Sequence, residues 1–374
     1  MDNAHHQRLR AAQAARKDEF YTQYRDIELE INAYLDYNKD VFRDKTVLLP
    51  CDDPEWSNFT KYFAQNFDRL GLKKLISTSY AQDSKPYRIP VQLSLIELNS
   101  PNYDKDKTTS HGKIFTLTKR NNTRVDINNL KWKYLNGDGD FNSDEVRKLR
   151  DKADFIITNP PFSKFHEFMQ WVISSNNKYL ILGNINAVSY KDVFPLIKDN
   201  KMWLGASIHG GDREFQIPEE YPITAAGYRI DDNGNRFIRV KGVRWFTNME
   251  HGRRHTPLQL MTMEDNLRYS RHKEVRDNPY QHFDNFNAIN VPFTDAIPSD
   301  YSELMGVPLT FLDKYCPEQF DIVGFFNNYS PETADIKSGQ LYGEPVRIQS
   351  CASLFRGPVI NGKATYFRII IKRK

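Results

Sequence analysis

The chain has 374 residues, 39% hydrophobic and 27% charged, with 52 basic and 48 acidic side chains for a formal net charge of +4. That length is enough for two domains with buried cores, and an aromatic share of 13% speaks against a disordered chain. No apolar run is long enough to cross a bilayer, the N-terminal MDNAHHQRLRAAQAARKDEF lacks the apolar stretch of a secretory signal, and Cys51, Cys316 and Cys351 lie too far apart for a disulfide framework or a paired-cysteine zinc site. A cytoplasmic protein with neither membrane nor metal as a partner is therefore expected.

In chain order, Ile27, Ile31, Tyr34 and Leu35 fall on one face of a helix within 26–42. TVLLP (46–50) is short and apolar enough for a buried strand. After the turn Pro50-Cys51-Asp52-Asp53-Pro54, helical spacing returns with Phe59, Tyr62, Phe63, Phe67 and Leu70, and Gly71 suits a helix C-terminus. KKLISTSY (73–80) completes a βαβ unit, a motif whose strand-end turns bind ligands. Residues 81–150 are less regular, with antiparallel strands expected at 91–98 and 113–119.

The alternation resumes with a strand at DFIIT (154–158), a helix carrying Phe165, Phe168, Met169 and Val172, and a strand at KYLILGN (178–184). A helix near 190–200 would hold Pro195 in its first turn. WLGASI and FIRVKGVRWF (237–246) read as a closing strand pair. Beyond about 250 the periodicity fades into Asn/Asp/Pro-rich segments, which suit a smaller, loop-rich second domain. The division expected is 1–249 and 250–374. Charge is sorted locally: 345–374 has seven basic residues and no acid, and 236–254 has six basic residues against Glu250 alone. Such basic faces can meet phosphates, or they can be plain solvated surface.

The most specific feature is Asn159-Pro160-Pro161-Phe162, directly after a predicted strand. Two prolines fix the backbone and donate no hydrogen bond, so the Pro160 carbonyl is presented rigidly beside the Asn159 side-chain oxygen. Two adjacent acceptors suit the two hydrogens of an exocyclic amine. Phe162 can stack on the heterocycle that carries it, and a base presented in this way must leave the double helix. The plain alternative is a proline-stiffened turn with no chemical role.

These residues resemble the amino-methyltransferases that use S-adenosylmethionine. Together with DEFYTQ (18–23), VLLPCDDP (47–54), SNFTKYF (57–63), RWFTN (244–248), VPLTFLDKYCPEQF (307–320) and the C-terminal NGKATYFRIIIKRK, the chain resembles the EcoRI-type adenine-specific DNA methyltransferase family. The resemblance implies an α/β, Rossmann-like sheet with helices on both faces, followed by a target-recognition domain. It implies S-adenosylmethionine as cofactor, double-stranded DNA as partner, and a monomer whose cognate restriction endonuclease, where one exists, is only a genetic partner. Asn159, Pro160, Pro161 and Phe162 would be catalytic.

For the cofactor, the resemblance points to Tyr21, Thr22, Pro50, Cys51, Asp52, Asp53, Ser79, Asp140, Phe141 and Asn159. Two departures stand out. The first strand-end turn has none of the glycines usual there, and the second strand ends Thr78-Ser79-Tyr80 without a ribose-binding acid. Asp52 and Asp53 would accept from the methionine ammonium, or serve as a helix cap. Asn136-Gly137-Asp138-Gly139-Asp140-Phe141 would touch adenine, or be an ordinary turn. Arg253, Arg254, Arg268, Arg271, Lys273 and Arg276 are candidates for DNA contacts. Methylation of a protein glutamine or of RNA adenine uses the same chemistry and stays open from sequence.

Overall fold

A computed structural model describes residues 21–81, 103–119, 130–217, 227–326, 339–349 and 354–374. The chain separates into two compact units, one of residues up to Ile185 with Gly205–Glu250, the other of Asn186–Leu204 with His251–Lys374. Residues 186–204 thus group with the later part of the chain.

In the first unit, helix α1 (Tyr24–Tyr37) buries Ile27, Ile31 and Tyr34, the face expected from their spacing. Strand β1 (Thr46–Leu49) is buried throughout. Helix α2 (Asn58–Gln65) starts at Ser57, whose hydroxyl accepts from the N–H groups of Phe59 and Thr60. It stops earlier than the Phe67 and Leu70 spacing suggests, and turns carry the chain to Gly71 at φ +65°. Strand β2 (Lys74–Thr78) runs parallel to β1, with Val47 opposite Leu75. Strands β3 (Lys113–Thr118) and β4 (Trp132–Tyr134) extend this edge antiparallel. The strand expected at 91–98 lies outside the described residues.

After helix α3 (Asp144–Arg150), strand β5 (Phe155–Thr158) pairs parallel with β1 on its other side. Helix α4 (Phe165–Ile173) buries Phe165, Phe168, Met169 and Val172 and leads to strand β6 (Lys178–Asn184), parallel to β5. Strands β7 (Asp212–Ile217), β8 (Arg229–Ile230) and β9 (Arg236–Lys241) form a separate small sheet in the order β7-β9-β8. Strand β10 (Val243–Thr247) returns to the main sheet, antiparallel to β6. The segment 237–246, expected as one strand, is therefore two strands in two sheets. Gly242, at φ +70°, makes the break, a conformation that residues with a Cβ rarely adopt.

The unit's strands in the main sheet lie in the order β4-β3-β2-β1-β5-β6-β10. The crossover β1–α2–β2 steps to one side and β5–α4–β6 steps to the other. Parallel crossovers are right-handed, so α2 and α4 cover opposite faces. The sheet changes direction between β1 and β5, and the turns after these two strands meet there.

The second unit contains the short helices α5 (Phe194–Lys198, with Pro195 in its first turn), α6 (Met263–Tyr269) and α7 (Lys273–Asp277). Its largest sheet contains β11 (His282–Phe283), β12 (Phe286–Asn290), β13 (Met305–Val307), β14 (Phe320–Phe326) and β15 (Gln340–Leu341). The C-terminal strand Arg368–Arg373 inserts between β13 and β14. Ile369, Ile370 and Ile371 of that strand are fully buried. Among the described residues, no helix is long and apolar enough to cross a membrane.

One buried acid locks α1 in place. Glu30 accepts from the N–H groups of Ala206 at 2.8 Å and Ser207 at 2.7 Å, and from the Tyr34 hydroxyl at 2.8 Å. A Cβ on Gly205 would fall 2.2 Å from the Glu30 carboxylate, so only glycine lets the backbone approach. Glu30→Ala orphans two buried amides and is expected to lower stability by on the order of 3 kcal/mol. Glu30→Gln, which keeps one acceptor, should lose less. Urea unfolding of the three proteins measures this, and an Ala variant with the wild-type midpoint would contradict it.

Candidate active site

The turn after β1 contains Pro50, Cys51, Asp52, Asp53 and Pro54. Asp52 is 5% exposed, and its carboxylate accepts from the hydroxyls of Ser57 at 2.6 Å and Thr158 at 2.7 Å. Ser57 caps α2, and Thr158 is the last residue of β5, immediately before Asn159. The Asp52 N–H donates to the Thr78 carbonyl at 2.9 Å, its carbonyl accepts from the Ser77 hydroxyl, and the Pro50 carbonyl accepts from the Thr78 hydroxyl at 3.1 Å. One residue therefore ties the ends of β1, β2 and β5 to the start of α2. Asp53 accepts from the Glu55 N–H at 2.9 Å and remains half-exposed, as does Cys51.

Asn159-Pro160-Pro161-Phe162 leaves β5 at this junction. Pro160 is buried, while Asn159, Pro161 and Phe162 are half-buried. A single 3-10 turn, Phe162–Lys164, then starts α4. The Phe162 ring meets Phe215 of β7 edge-on, with centroids 6.2 Å apart. Next along β7, Gln216 exchanges two backbone hydrogen bonds with Tyr21. Thr22 follows, buried, and its carbonyl accepts from the Asn58 amide at the start of α2 at 2.8 Å. The N-terminal segment thus reaches both the small sheet beside Phe162 and the helix that follows the Asp52 turn.

On the other side lies the end of β2. The Ser79 hydroxyl accepts from the Lys113 N–H at 3.1 Å, and the Ala81 N–H donates to the Asp138 carbonyl at 2.7 Å. A Cβ on Gly139 would stand 2.1 Å from the Ser79 carbonyl, so glycine is required for this loop to lie against β2. Asp140 forms an ion pair with Lys164 at 3.5 Å, and that ammonium also lies over the rings of Tyr80 (5.4 Å) and Phe141 (5.7 Å). Phe141 itself is buried, with edge contacts to Phe168 and Trp171 at centroid distances of 5.1 and 5.7 Å.

The structure therefore gathers Tyr21, Thr22, Pro50, Asp52, Asp53, Ser79, Asp140 and the Asn159–Phe162 turn along the C-terminal edge of the parallel strands. Sequence reasoning missed Ser57, Ser77, Thr158 and Phe215, as well as the buried ion pair of Glu55 with Lys113 at 2.5 Å. The available signal was polar residues closing otherwise apolar strands.

The DNA candidates in the second unit divide. Arg254 is buried, with its guanidinium 3.6 Å above the Trp203 ring and bonded to Asn200. The others are exposed, and three pair with acids: Arg268 with Glu264 (2.5 Å), Arg271 with Asp295 (2.8 Å) and Lys273 with Asp277 (3.8 Å). Arg276 donates to the Ser270 carbonyl, and Arg253 is exposed. Among the described residues, no group of three His, Cys, Asp or Glu could hold a metal.

Burial pushes the Asp52 carboxyl from 3.8 up to about 7, against the pull of the Ser57 and Thr158 hydroxyls. Folding thus favours its protonated form. This contribution to stability is complete below 3.8 and is lost as pH rises through about 7. Asp52→Asn has no proton to titrate there and is expected to flatten the fall in Tm across that interval. Thermal melts at matched ionic strength read the difference, and parallel Tm–pH curves would show that Asp52 is ionised throughout.

Comparison with known proteins gives a consistent family. The model of the family described as adenine-specific methyltransferase EcoRI matches residues 8–374. The chain is 38% identical over 372 residues to the type II methyltransferase M.EcoRI of Escherichia coli, spanning 100% of this chain and 98% of that one. It is 33% identical to M.MgeORF184P of Mycoplasma genitalium, over 97% of this chain and 98% of the relative. Against M.MpnI of Mycoplasma pneumoniae it is 30% identical, over 97% of each. No solved structure matches. With a matched family model over nearly its whole length and an Asn-Pro-Pro-Phe turn at the switch point of a mixed α/β sheet, this chain belongs to the EcoRI family of adenine-specific DNA methyltransferases.

Proposed function

We propose that the chain transfers a methyl group from S-adenosylmethionine to N6 of an adenine flipped out of duplex DNA, with Asn159, Pro160, Pro161 and Phe162 as the catalytic turn. The observation that carries this reading is the link between Asp52 and Thr158. It sets the turn after β1 and the Asn159 turn side by side at the switch point, where ligands of open α/β sheets bind.

The lone pair of an adenine amine is delocalised into its ring. Asn159 and the Pro160 carbonyl, accepting its two hydrogens, localise that pair and orient it for in-line displacement. Phe162 supplies a stacking face. Transfer then depends on orientation and on stabilising the ammonium as it develops. The cofactor, when bound, supplies a methyl group activated by a sulfonium.

The residues fit such a cofactor. Thr22 is buried, yet its hydroxyl has no hydrogen-bond partner among the described residues, the state of a group that a ligand satisfies. Tyr21, Thr22, Asp53 and Ser79 would hold it, with Asp52 setting the backbone of the turn. Residues 1–249 would then carry cofactor binding and chemistry, and 250–374 target recognition. The enzyme would act as a cytoplasmic monomer, either beside a restriction nuclease or alone.

Labelled cofactor offered with duplex DNA, RNA and protein, followed by nucleoside analysis, is expected to put label in N6-methyladenine of DNA. Label in glutamine, RNA or N4-methylcytosine would overturn the reading. Asn159→Ala should cut turnover by about 100-fold or more while DNA affinity stays near wild type; a near-normal rate would refute the acceptor role. Thr22→Val should weaken cofactor binding by roughly tenfold with the Tm of the ligand-free protein unchanged, and unaltered affinity would remove Thr22 from the site.

A further inference from the structure

The first unit contains a cavity of about 730 Å³ lined by Gln23, Arg25, Asp26, Gly211, Asp212, Arg213, Glu214 and Arg239. Nothing in the reaction as derived above uses it. Two of its donors, the Arg213 Nε and the Gln23 amide nitrogen, are buried without a hydrogen-bond partner among the described residues. Buried donors are almost always satisfied in native proteins, so these two mark a place where an acceptor is missing.

The lining holds three guanidinium groups and three carboxylates, and among them Glu214 and Arg239 offset one another. Glu214 is held by Arg229 through a 2.7 Å hydrogen bond and lies 3.8 Å from Arg239. Burial pushes the Asp26 carboxyl up, against the opposing pull of Arg213 and Arg25. Asp212 is exposed to solvent. What is left for a ligand is the Arg213 guanidinium, the Gln23 amide and the Arg25 guanidinium, a set of donors that suits an oxyanion with several acceptor atoms.

Position narrows the choice. Side chains two apart on a strand share a face, so Arg213 stands next to Phe215, the ring that meets Phe162. Gln23, also in the lining, follows Tyr21 and Thr22 in the chain. We propose that this cavity binds a backbone phosphodiester of the target strand next to the flipped adenine, with Arg213 as its principal ligand and Gln23 as a second donor. The proposal rests on the DNA-adenine reading above and adds a positioning site to it. Held there, the phosphate fixes the extruded nucleotide in register with Asn159, so the cost of unstacking is met partly outside the base pocket.

The test is a duplex series in which one phosphate at a time in the target strand is replaced by a neutral methylphosphonate. Wild-type enzyme is expected to lose about tenfold in affinity at one position next to the adenine. Arg213→Gln should bind the unmodified duplex about tenfold more weakly, with a salt slope shallower by about one. It should show no further loss at the sensitive position. Arg213→Lys, which keeps the charge without the fork, should retain part of that sensitivity, and it carries the same cycle if the Gln variant fails to fold.

No sensitive phosphate beside the adenine in the wild type would overturn the proposal. So would full methylphosphonate sensitivity in Arg213→Gln, or a loss confined to cofactor affinity, which would assign the cavity to the cofactor carboxylate. Methylation of adenine in the unmodified duplex by wild type is scored in the same assay. Its absence would defeat the functional reading itself rather than this site.

Discussion

Everything at the reactive edge of the sheet depends on a carboxyl group that solvent barely reaches. Asp52 receives the hydroxyls of Ser57 and Thr158, and through its backbone it also meets Thr78 and Ser77. Three stretches distant in sequence, at residues 50–57, 77–78 and 158, are thereby held by one side chain and its peptide groups. Burying a carboxyl group without partners would be costly, and two hydroxyl donors reduce the cost without removing it. The desolvation that remains uncompensated raises the Asp52 pKa. A hydrophobic residue here could fill the space but could not fix where β1 ends relative to β5, and that relation decides where Asn159 stands.

Seen from this junction, the missing glycines of the first turn make physical sense. A glycine-rich turn places its backbone by its own conformational freedom. Here the turn contains two prolines and two aspartates, and its course is set by hydrogen bonds from the neighbouring strands. Close backbone approach is needed one strand further out, where Gly112 and Gly139 press against the Ser79 carbonyl. There the Asn136–Phe141 loop takes its place beside β2, joined through the Asp140–Lys164 pair to the turn that follows Asn159-Pro160-Pro161.

How much of this was legible in the sequence follows from the length over which each pattern extends. The strands β1, β2, β5 and β6 are apolar runs bounded by turns, and the helices between them keep a clear 3.6-residue period, so the βαβ core could be read directly. Asn159–Phe162 was legible because two consecutive prolines after such a strand have few explanations. The small sheet was not, because Gly242 divides an unbroken β-type run and nothing but its φ angle reveals the division. The second unit was illegible for a different reason. Several of its strands have only two or three residues, too few to show alternation, and the partners of others lie far along the chain, as Met305 does from Ile371. The basic C-terminal segment read as a phosphate-meeting face or solvated surface, yet the isoleucines of its last strand form the middle of a sheet, with Lys372 and Arg373 of that strand exposed.

A count of charge alone does not say which cations are available to a ligand. A cation's value for binding DNA depends on what already neutralises it. Arg268, Arg271 and Lys273 are exposed but sit opposite carboxylates, and exposed pairs of this kind exchange readily with solvent and contribute little. Arg254 is spent on the face of Trp203. Sequence counts both kinds equally. In the first unit, by contrast, Arg213 lies within a nearly balanced stretch, GGDREFQ, that no tally of charge would single out. Its guanidinium Nε is nonetheless buried, without a hydrogen-bond partner, two residues along the strand from the ring that meets Phe162. Burial with an unmet hydrogen bond is a stronger sign of a ligand than exposure with an unmet charge, since water satisfies the second and not the first. By that criterion Arg213, two residues from the ring that meets Phe162, marks a ligand more clearly than the exposed basic residues of the second unit do.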